Sequence, residues 1–139
     1  MKTFKSTLVL ALSFVSTIAL ADIAIIVHPS NSNSISEDDI NRIFLGKNKS
    51  FENGDSIKAM NLKSGDDIRT EFEKKALGKS SKQVKAYWSK LIFSGKAKPL
   101  VESDSDEEAL KFVADNPEAI AYIDANKVND SVKVVKVFK

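Results

Sequence analysis

The chain has 139 residues, of which 21 are lysine or arginine, 19 are aspartate or glutamate, one is histidine and none is cysteine. The near balance of charges argues against nucleic acid or an anionic membrane surface as a partner. The absence of cysteine excludes disulfides, cysteine-based zinc sites and cysteine nucleophiles, and a single histidine argues against a His-centred triad. We therefore predict that the protein is not an enzyme and carries no metal or other cofactor.

Residues 1–21 have the pattern of a cleavable secretory signal peptide. A basic start at Met1–Lys5 precedes an apolar run over Leu8–Leu20, and Ala19-Leu20-Ala21 is a small-x-small cleavage pattern. The run is too short, and lacks the flanks, for a membrane span. We predict export to the periplasm of a Gram-negative cell, with no lipid-anchor cysteine and no membrane insertion after cleavage. Residues 22–139 then form one domain.

Strands and helices alternate from the start of the mature chain. The apolar, β-branched run at 23–27 predicts a buried strand, and the stretch at 57–62 predicts a second one. Between them, Ser36 and Asp39 form a capping-box pattern that opens a helix ending at Gly46.

The second half of the chain continues this alternation. Capping residues and apolar spacing predict three further helices, at 66–77, from Ser80 or Ser81 to Gly95, and from Ser105 to before Pro117. Two more strands are predicted, a buried one at 119–123 and an alternating edge strand at 132–137. We predict an α/β fold with a mixed, largely parallel sheet flanked by helices.

The turn between the second strand and the second helix is the most informative stretch. It reads Lys63-Ser64-Gly65-Asp66-Asp67-Ile68-Arg69. The first N–H groups of a helix lack partners and attract anions, and Ser64, Gly65 and Arg69 can complete such a site. Asp66 and Asp67 can instead satisfy the same donors as capping residues. We predict that Asp66 caps the helix. Whether Ser64, Gly65 and Arg69 bind a ligand stays open.

The remaining candidate residues favour structural roles. His28 has no evident partner for a general base and is predicted to be a strand-end residue at a cleft rim. Tyr87, Trp88 and Phe93 lie on an amphipathic helix, where aromatic side chains usually form core, and a stacking platform is the alternative. The acidic residues within 102–108 lack the spacing of a calcium loop and indicate a solvated helix start. Lys82 is predicted to face water.

An ordered set of short motifs extends over nearly the whole mature chain. An apolar strand ends in His28-Pro29-Ser30-Asn31, a helix ends in Ile43-Phe44-Leu45-Gly46-Lys47, and Phe51-Glu52-Asn53-Gly54 forms a turn. A helix opens at Asp66-Asp67-Ile68-Arg69 and carries Phe72, and a last strand follows in Asn116-Pro117-Glu118-Ala119-Ile120-Ala121-Tyr122-Ile123. In this order the motifs resemble those of the phosphate-binding proteins of ABC transporters, a type II periplasmic binding protein family.

The resemblance implies a single-lobe domain at 22–139 that corresponds to the second lobe of such a protein. Where that family has the hydroxyl residues of its phosphate element, this chain has Asp66 and Ile68, and only Arg69 matches. A single lobe offers only half of a closed two-lobed cleft, a half-site at a helix N-terminus that excludes water poorly. We therefore expect weak binding of phosphate or a similar small anion. The predicted site is lined by Ser30, Asn31, Ser64, Gly65, Asp67 and Arg69.

A second interpretation makes the protein a non-catalytic interaction module. It would dock on a membrane sensor, a transporter component or a second copy of itself through the surface that a first lobe would cover. The effect of replacing Arg69 distinguishes the two interpretations. If Arg69 binds a ligand, replacing it with alanine is expected to weaken anion binding and leave folding nearly intact.

Overall fold

The computed structural model describes residues 21–139. The predicted signal peptide therefore lies outside the described residues, apart from Ala21. Among the residues that are described, no helix combines the length and the apolar character needed to cross a membrane.

Five strands form one sheet in the order β3-β2-β4-β1-β5. The strands are β1 (Ile23–Val27), β2 (Lys58–Leu62), β3 (Val101–Ser103), β4 (Ala119–Asp124) and β5 (Lys133–Phe138). β2 pairs in parallel with β3 and β4, whereas β1 pairs antiparallel with β4 and β5. The predicted α/β class and the edge position of the last strand are confirmed. The sheet is mixed, although it is half antiparallel rather than largely parallel.

Four α-helices connect or follow the strands. They are α1 (Glu37–Phe44), α2 (Asp67–Leu77), α3 (Ser81–Phe93) and α4 (Asp106–Asp115), and a short 3-10 helix spans Ala125–Lys127. All four predicted α-helices are confirmed.

Side-chain caps explain where α1 and α3 begin, and a glycine explains where α2 ends. Ser36 and Asp39 make both bonds of a capping box, at 3.1 Å from Asp39 N to Ser36 Oγ and 2.8 Å from Ser36 N to Asp39 Oδ2. Ser80 and Gln83 make the same reciprocal pair at the start of α3. Gly78 ends α2 at a φ of 63°, a left-handed conformation that favours glycine.

The core lies on the central strands β1 and β4. Every residue of β1 and the first five of β4 are buried, so both faces of the sheet are covered there. Phe72 of α2 stacks on Tyr122 of β4 with ring centroids 3.8 Å apart, and Phe44 of α1 meets both rings edge-on. This aromatic cluster fixes α1 and α2 against the sheet.

Two features, one at the end of α3 and one after it, differ from the sequence prediction. β3 was not predicted; its three residues form a short edge strand, too short to give a periodic pattern. The prediction that Phe93 belongs to the core is wrong, because its side chain is 96% exposed. α3 has only Val84 fully buried, so its last turn extends beyond the core.

Candidate functional site

The turn after β2 adopts the predicted strand-turn-helix geometry. Asp66 N donates to Lys63 O at 3.2 Å, which closes the turn, and Gly65 has a φ of 87° that favours glycine. A Cβ at Gly65 would have no atom within 4 Å, so the turn opens onto free space. A ligand can therefore approach the backbone closely at this point.

Asp66 caps α2, as the sequence predicted. Its Oδ1 accepts from Ile68 N at 2.8 Å, which satisfies one donor of the first helical turn. The backbone N–H groups of Ser64 and Gly65 make no hydrogen bond to any residue within 21–139. The turn thus keeps two free donors although its helix is capped.

Arg69 is held in a network that the sequence analysis did not identify. Its Nη1 donates to the carbonyl oxygen of Leu62 at 2.9 Å and lies 3.3 Å from the Glu102 carboxylate. Its Nε lies 3.5 Å from Glu73, a buried carboxylate that also accepts from Ser81 Oγ at 2.7 Å. Arg69 is therefore paired with two carboxylates before any ligand arrives, and its single charge offsets only one of them. The i, i+4 spacing of Arg69 and Glu73 was visible in the sequence, but the burial of Glu73 was not.

Tyr122 supports the end of β2 beneath this network. Its hydroxyl accepts from Leu62 N at 3.2 Å and donates to Asn61 Oδ1. Burial raises the pKa of Tyr122 well above its ordinary value, so the phenol stays protonated and keeps this donor. The position of Leu62, and hence of the carbonyl that binds Arg69, is fixed by the core.

A groove of about 430 Å³ lies between α2, α3 and the segment that leads into β3, and we call it the α2–α3 groove. Three cationic and two anionic side chains line it. Both anions, Glu73 and Glu102, pair with Arg69, while Lys82 and Lys85 make no ion pair with any described residue. The groove is lined by Asn61, Ser64, Gly65, Arg69, Glu73, Ser81, Lys82, Lys85, Trp88, Ser89, Ile92, Pro99, Leu100 and Glu102.

The structure brings together three of the six predicted site residues, namely Ser64, Gly65 and Arg69. Asp67 lies in the first turn of α2, is exposed and does not line the groove. Lys82, predicted only to face water, is exposed and also lines the groove, and Lys85 was missed. Both lysines lie on α3, and only the packing of α3 beside α2 reveals them as site residues.

Ser30 and Asn31 lie at the opposite end of the sheet from the turn. β1 runs antiparallel to β4, and β4 runs parallel to β2, so the residues after β1 lie where β2 begins. The two ends of a five-residue strand are about 13 Å apart. The six predicted residues therefore do not line one common site, a correction to the sequence interpretation.

The loop after β1 forms its own local hydrogen-bond structure. His28 follows β1, as predicted, and its Nδ1 lies 2.7 Å from Ser30 Oγ in the same loop. It does not line any of the three grooves described in 21–139. Asn31 is buried, and its Oδ1 accepts from the backbone and side-chain nitrogens of Asn33 at 2.9 and 2.8 Å. Lys133 Nζ donates to Asn31 O at 3.0 Å.

The acidic segment 102–108 is only partly the solvated helix start that the sequence indicated. Asp106 is buried; its Oδ2 accepts from Asp124 N at 3.1 Å and lies 3.8 Å from Lys127 Nζ. Burial raises the pKa of the Asp106 carboxyl above its ordinary value, although the Asp124 N–H opposes this. Within 21–139 no three His, Asp or Glu side chains are grouped so that they could hold a metal ion.

The fold has clear counterparts among solved structures, although no protein-family model and no curated protein matches the chain. An ABC-type phosphate transport receptor from Vibrio cholerae superposes with a TM-score of 0.65 at 18% identity, over 84% of this chain and 47% of that one. A protein assigned as a phosphate ABC transporter substrate-binding protein from Clostridium perfringens, solved with bound phosphate, gives 0.65 at 23% identity, over 84% and 46%.

PstS from Borrelia burgdorferi gives a TM-score of 0.55 at 15% identity, over 83% of this chain and 47% of that one. The chain thus spans about half the length of these matched proteins. The resemblance seen in the sequence is confirmed at the level of fold, as a match to a single lobe. At these identities the likeness establishes the fold alone.

Proposed function

We propose that the protein is a periplasmic solute-binding lobe that takes a small oxyanion such as phosphate, weakly, in the α2–α3 groove. The single observation that carries this proposal is that backbone donors without a partner and lysines without an ion pair belong to residues that line the same groove. Ser64 and Gly65 line it and have backbone N–H groups without a partner in 21–139, and Lys82 and Lys85 line it without ion-pair partners among the described residues. The fold match to a protein solved with bound phosphate supports the choice of anion.

The charge distribution explains how the groove can attract an anion despite its two glutamates. The single positive charge of Arg69 offsets one of the two carboxylates, Glu73 and Glu102. With Lys82 and Lys85 the groove therefore has one positive charge in excess. The N-terminal dipole of α2 adds partial positive charge beside Ser64 and Gly65. Arg69 acts here by pairing with its carboxylate neighbours more than by contacting the ligand.

Weak binding follows from the exposure of the cations. Lys82 and Lys85 are both exposed, and an exposed ion pair contributes only about 0.2–1 kcal/mol. Such contacts, with a few backbone donors in an open groove, support dissociation constants near the millimolar end of the scale. In this proposal the protein has no catalytic role, and a component of a membrane transporter is the partner that receives the anion.

NMR tests the proposal. The amide chemical shifts of Ser64 and Gly65 are followed during titration with phosphate, sulfate and acetate. Calorimetry supplies the affinity. Saturable shifts at both amides with phosphate are expected, and replacing Lys82 and Lys85 together by glutamine should weaken binding roughly three- to tenfold.

The matched control replaces Lys74 and Lys90, two exposed lysines that do not line the groove, by glutamine. This control should bind phosphate as the parent does. No saturable shift at Ser64 and Gly65, or equal losses in the two double variants, would overturn the proposal.

An interaction module is the second candidate, favoured by the apolar residues near β3. Phe93, Val101 and Ile92 are 96%, 60% and 43% exposed. Large apolar side chains exposed along one short segment mark candidate protein-binding surfaces. Concentration-dependent mass in sedimentation equilibrium, abolished by Phe93→Ser, would support docking of a second copy, and a monomer at all concentrations would count against it.

A further inference from the structure

A second groove of about 620 Å³ lies beside the first, between the end of α1, the start of β2 and the segment 95–100. We call it the Trp88 groove, since Trp88 lines it; Trp88 and Leu100 line the α2–α3 groove as well. We propose that the Trp88 groove is a second binding site, for a small amphipathic anion with an alkyl or aryl body, such as an alkyl carboxylate. This inference does not depend on the phosphate proposal.

The apolar part of the groove is built from both secondary structure and loop. Ile43, Ile57, Ala59 and Leu100 line it together with the Trp88 ring. Its volume lies within the range of small-molecule sites, which span about 300–1,000 Å³. A bare inorganic anion would leave this apolar surface exposed to water, so a ligand with an apolar body fits it better.

The Trp88 wall is held in place from two sides. Its indole lies over Gly46, where a Cβ would come within 2.8 Å of the ring carbon Cη2. Tyr87 packs edge-on against Trp88, with centroids 6.0 Å apart, and its hydroxyl donates to Leu45 O at 2.7 Å. The flat aromatic surface is therefore fixed before any ligand arrives, which lowers the entropy lost on binding.

The charges around the groove all have the same sign. Lys49, Lys96 and Lys98 line it, and no aspartate or glutamate does. None of the three makes an ion pair with a residue in 21–139. An apolar surface with a cationic rim is complementary to a ligand that carries an anionic head on an apolar body.

Trp88 provides the assay, because it is the only tryptophan in the chain. Its emission is recorded during titration with dodecanoate, with dodecanol as the uncharged analogue and inorganic phosphate as a competitor. We expect a saturable change with dodecanoate that phosphate does not reverse. Lys96→Gln with Lys98→Gln should weaken dodecanoate binding about fivefold and leave dodecanol binding unchanged.

Two further variants keep the proposal falsifiable. Ala97→Phe places a large ring in the groove from a loop position and should abolish binding of both probes. The Lys74→Gln, Lys90→Gln double variant is the charge-matched control and should bind dodecanoate as the parent does. The proposal is overturned if dodecanoate gives no saturable change in Trp88 emission. It is also overturned if the control weakens dodecanoate binding as much as Lys96→Gln with Lys98→Gln does, or if Lys82→Gln with Lys85→Gln is the variant that loses dodecanoate binding.

Discussion

The guanidinium of Arg69 lies 3.5 Å from the carboxylate of Glu73, one helical turn further along α2, and only 4% of the Glu73 side chain is exposed. This ion pair changes the interpretation of Arg69, the one residue that matches the phosphate element of the family. Arg69 compensates a buried charge as well as lining the α2–α3 groove. The expectation that Arg69 can be removed at little cost to folding is therefore revised.

Arg69→Ala is expected to lower the free energy of unfolding by about 3 kcal/mol, because it leaves the buried Glu73 carboxylate uncompensated. Urea unfolding followed by circular dichroism measures this loss. Adding Glu73→Gln to Arg69→Ala should restore part of it, since the buried charge is then absent. An Arg69→Ala midpoint equal to that of the parent would show that the pair does not stabilise the fold.

Glu73→Gln alone is expected to strengthen phosphate binding by roughly three- to fivefold, because Arg69 then has one carboxylate partner fewer and its charge becomes available to the groove. Calorimetric titration measures the change. Glu71→Gln is the matched control, since Glu71 pairs with Lys75 on the same helix and does not line the groove. Equal affinities for both variants and the parent would contradict the proposed electrostatics.

Asp67→Asn should also strengthen anion binding, by about 0.3–1 kcal/mol, because the Asp67 carboxylate opposes the positive dipole at the start of α2. The same dipole interaction stabilises the helix, so a comparable loss of stability is expected. Asp38→Asn in the first turn of α1 is the control for stability and should leave phosphate binding unchanged. Unchanged phosphate affinity in Asp67→Asn would mean that the dipole plays no part in binding.

Gly46→Ala is expected to destabilise the fold by about 1–3 kcal/mol more than Gly54→Ala. Both glycines have positive φ, 70° and 91°, but only Gly46 lies under an indole, while a Cβ at Gly54 meets no atom within 4 Å. Comparing their urea midpoints separates the steric clash from the backbone penalty. The near-ultraviolet signal of Trp88 should change only in Gly46→Ala.

Asp106 should make stability depend on pH in a direction set by its burial. Its pKa is raised above 3.8 in the folded protein, so its favourable contribution is complete below that value and is lost as pH rises through the raised pKa. Asp106→Asn cannot ionise and should therefore gain stability relative to the parent as pH rises from 3.8 through the raised pKa. Urea midpoints of both proteins at several pH values in this window measure the difference. A difference that is constant, or that shrinks as pH rises, would contradict this assignment.

The amino-acid sequence by itself determined most of the local structure. Ser36 and Ser80 marked helix starts, Asp66 was recognised as a cap, and the apolar run at 23–27 was recognised as a buried strand. These features depend on hydrogen bonds and burial patterns within a few residues, so the spacing of residue types is enough to reveal them. The order of such features was also enough to indicate the fold.

The candidate site was decided only by the tertiary structure. Strand direction separates Asn31 from Ser64, because β1 runs against β2 in the sheet. The packing of α3 beside α2 brings Lys85 to the same groove as Ser64, and it buries Glu73 against Arg69. Such groupings depend on long-range packing between elements, and a pattern that repeats every two or four residues carries no information about it.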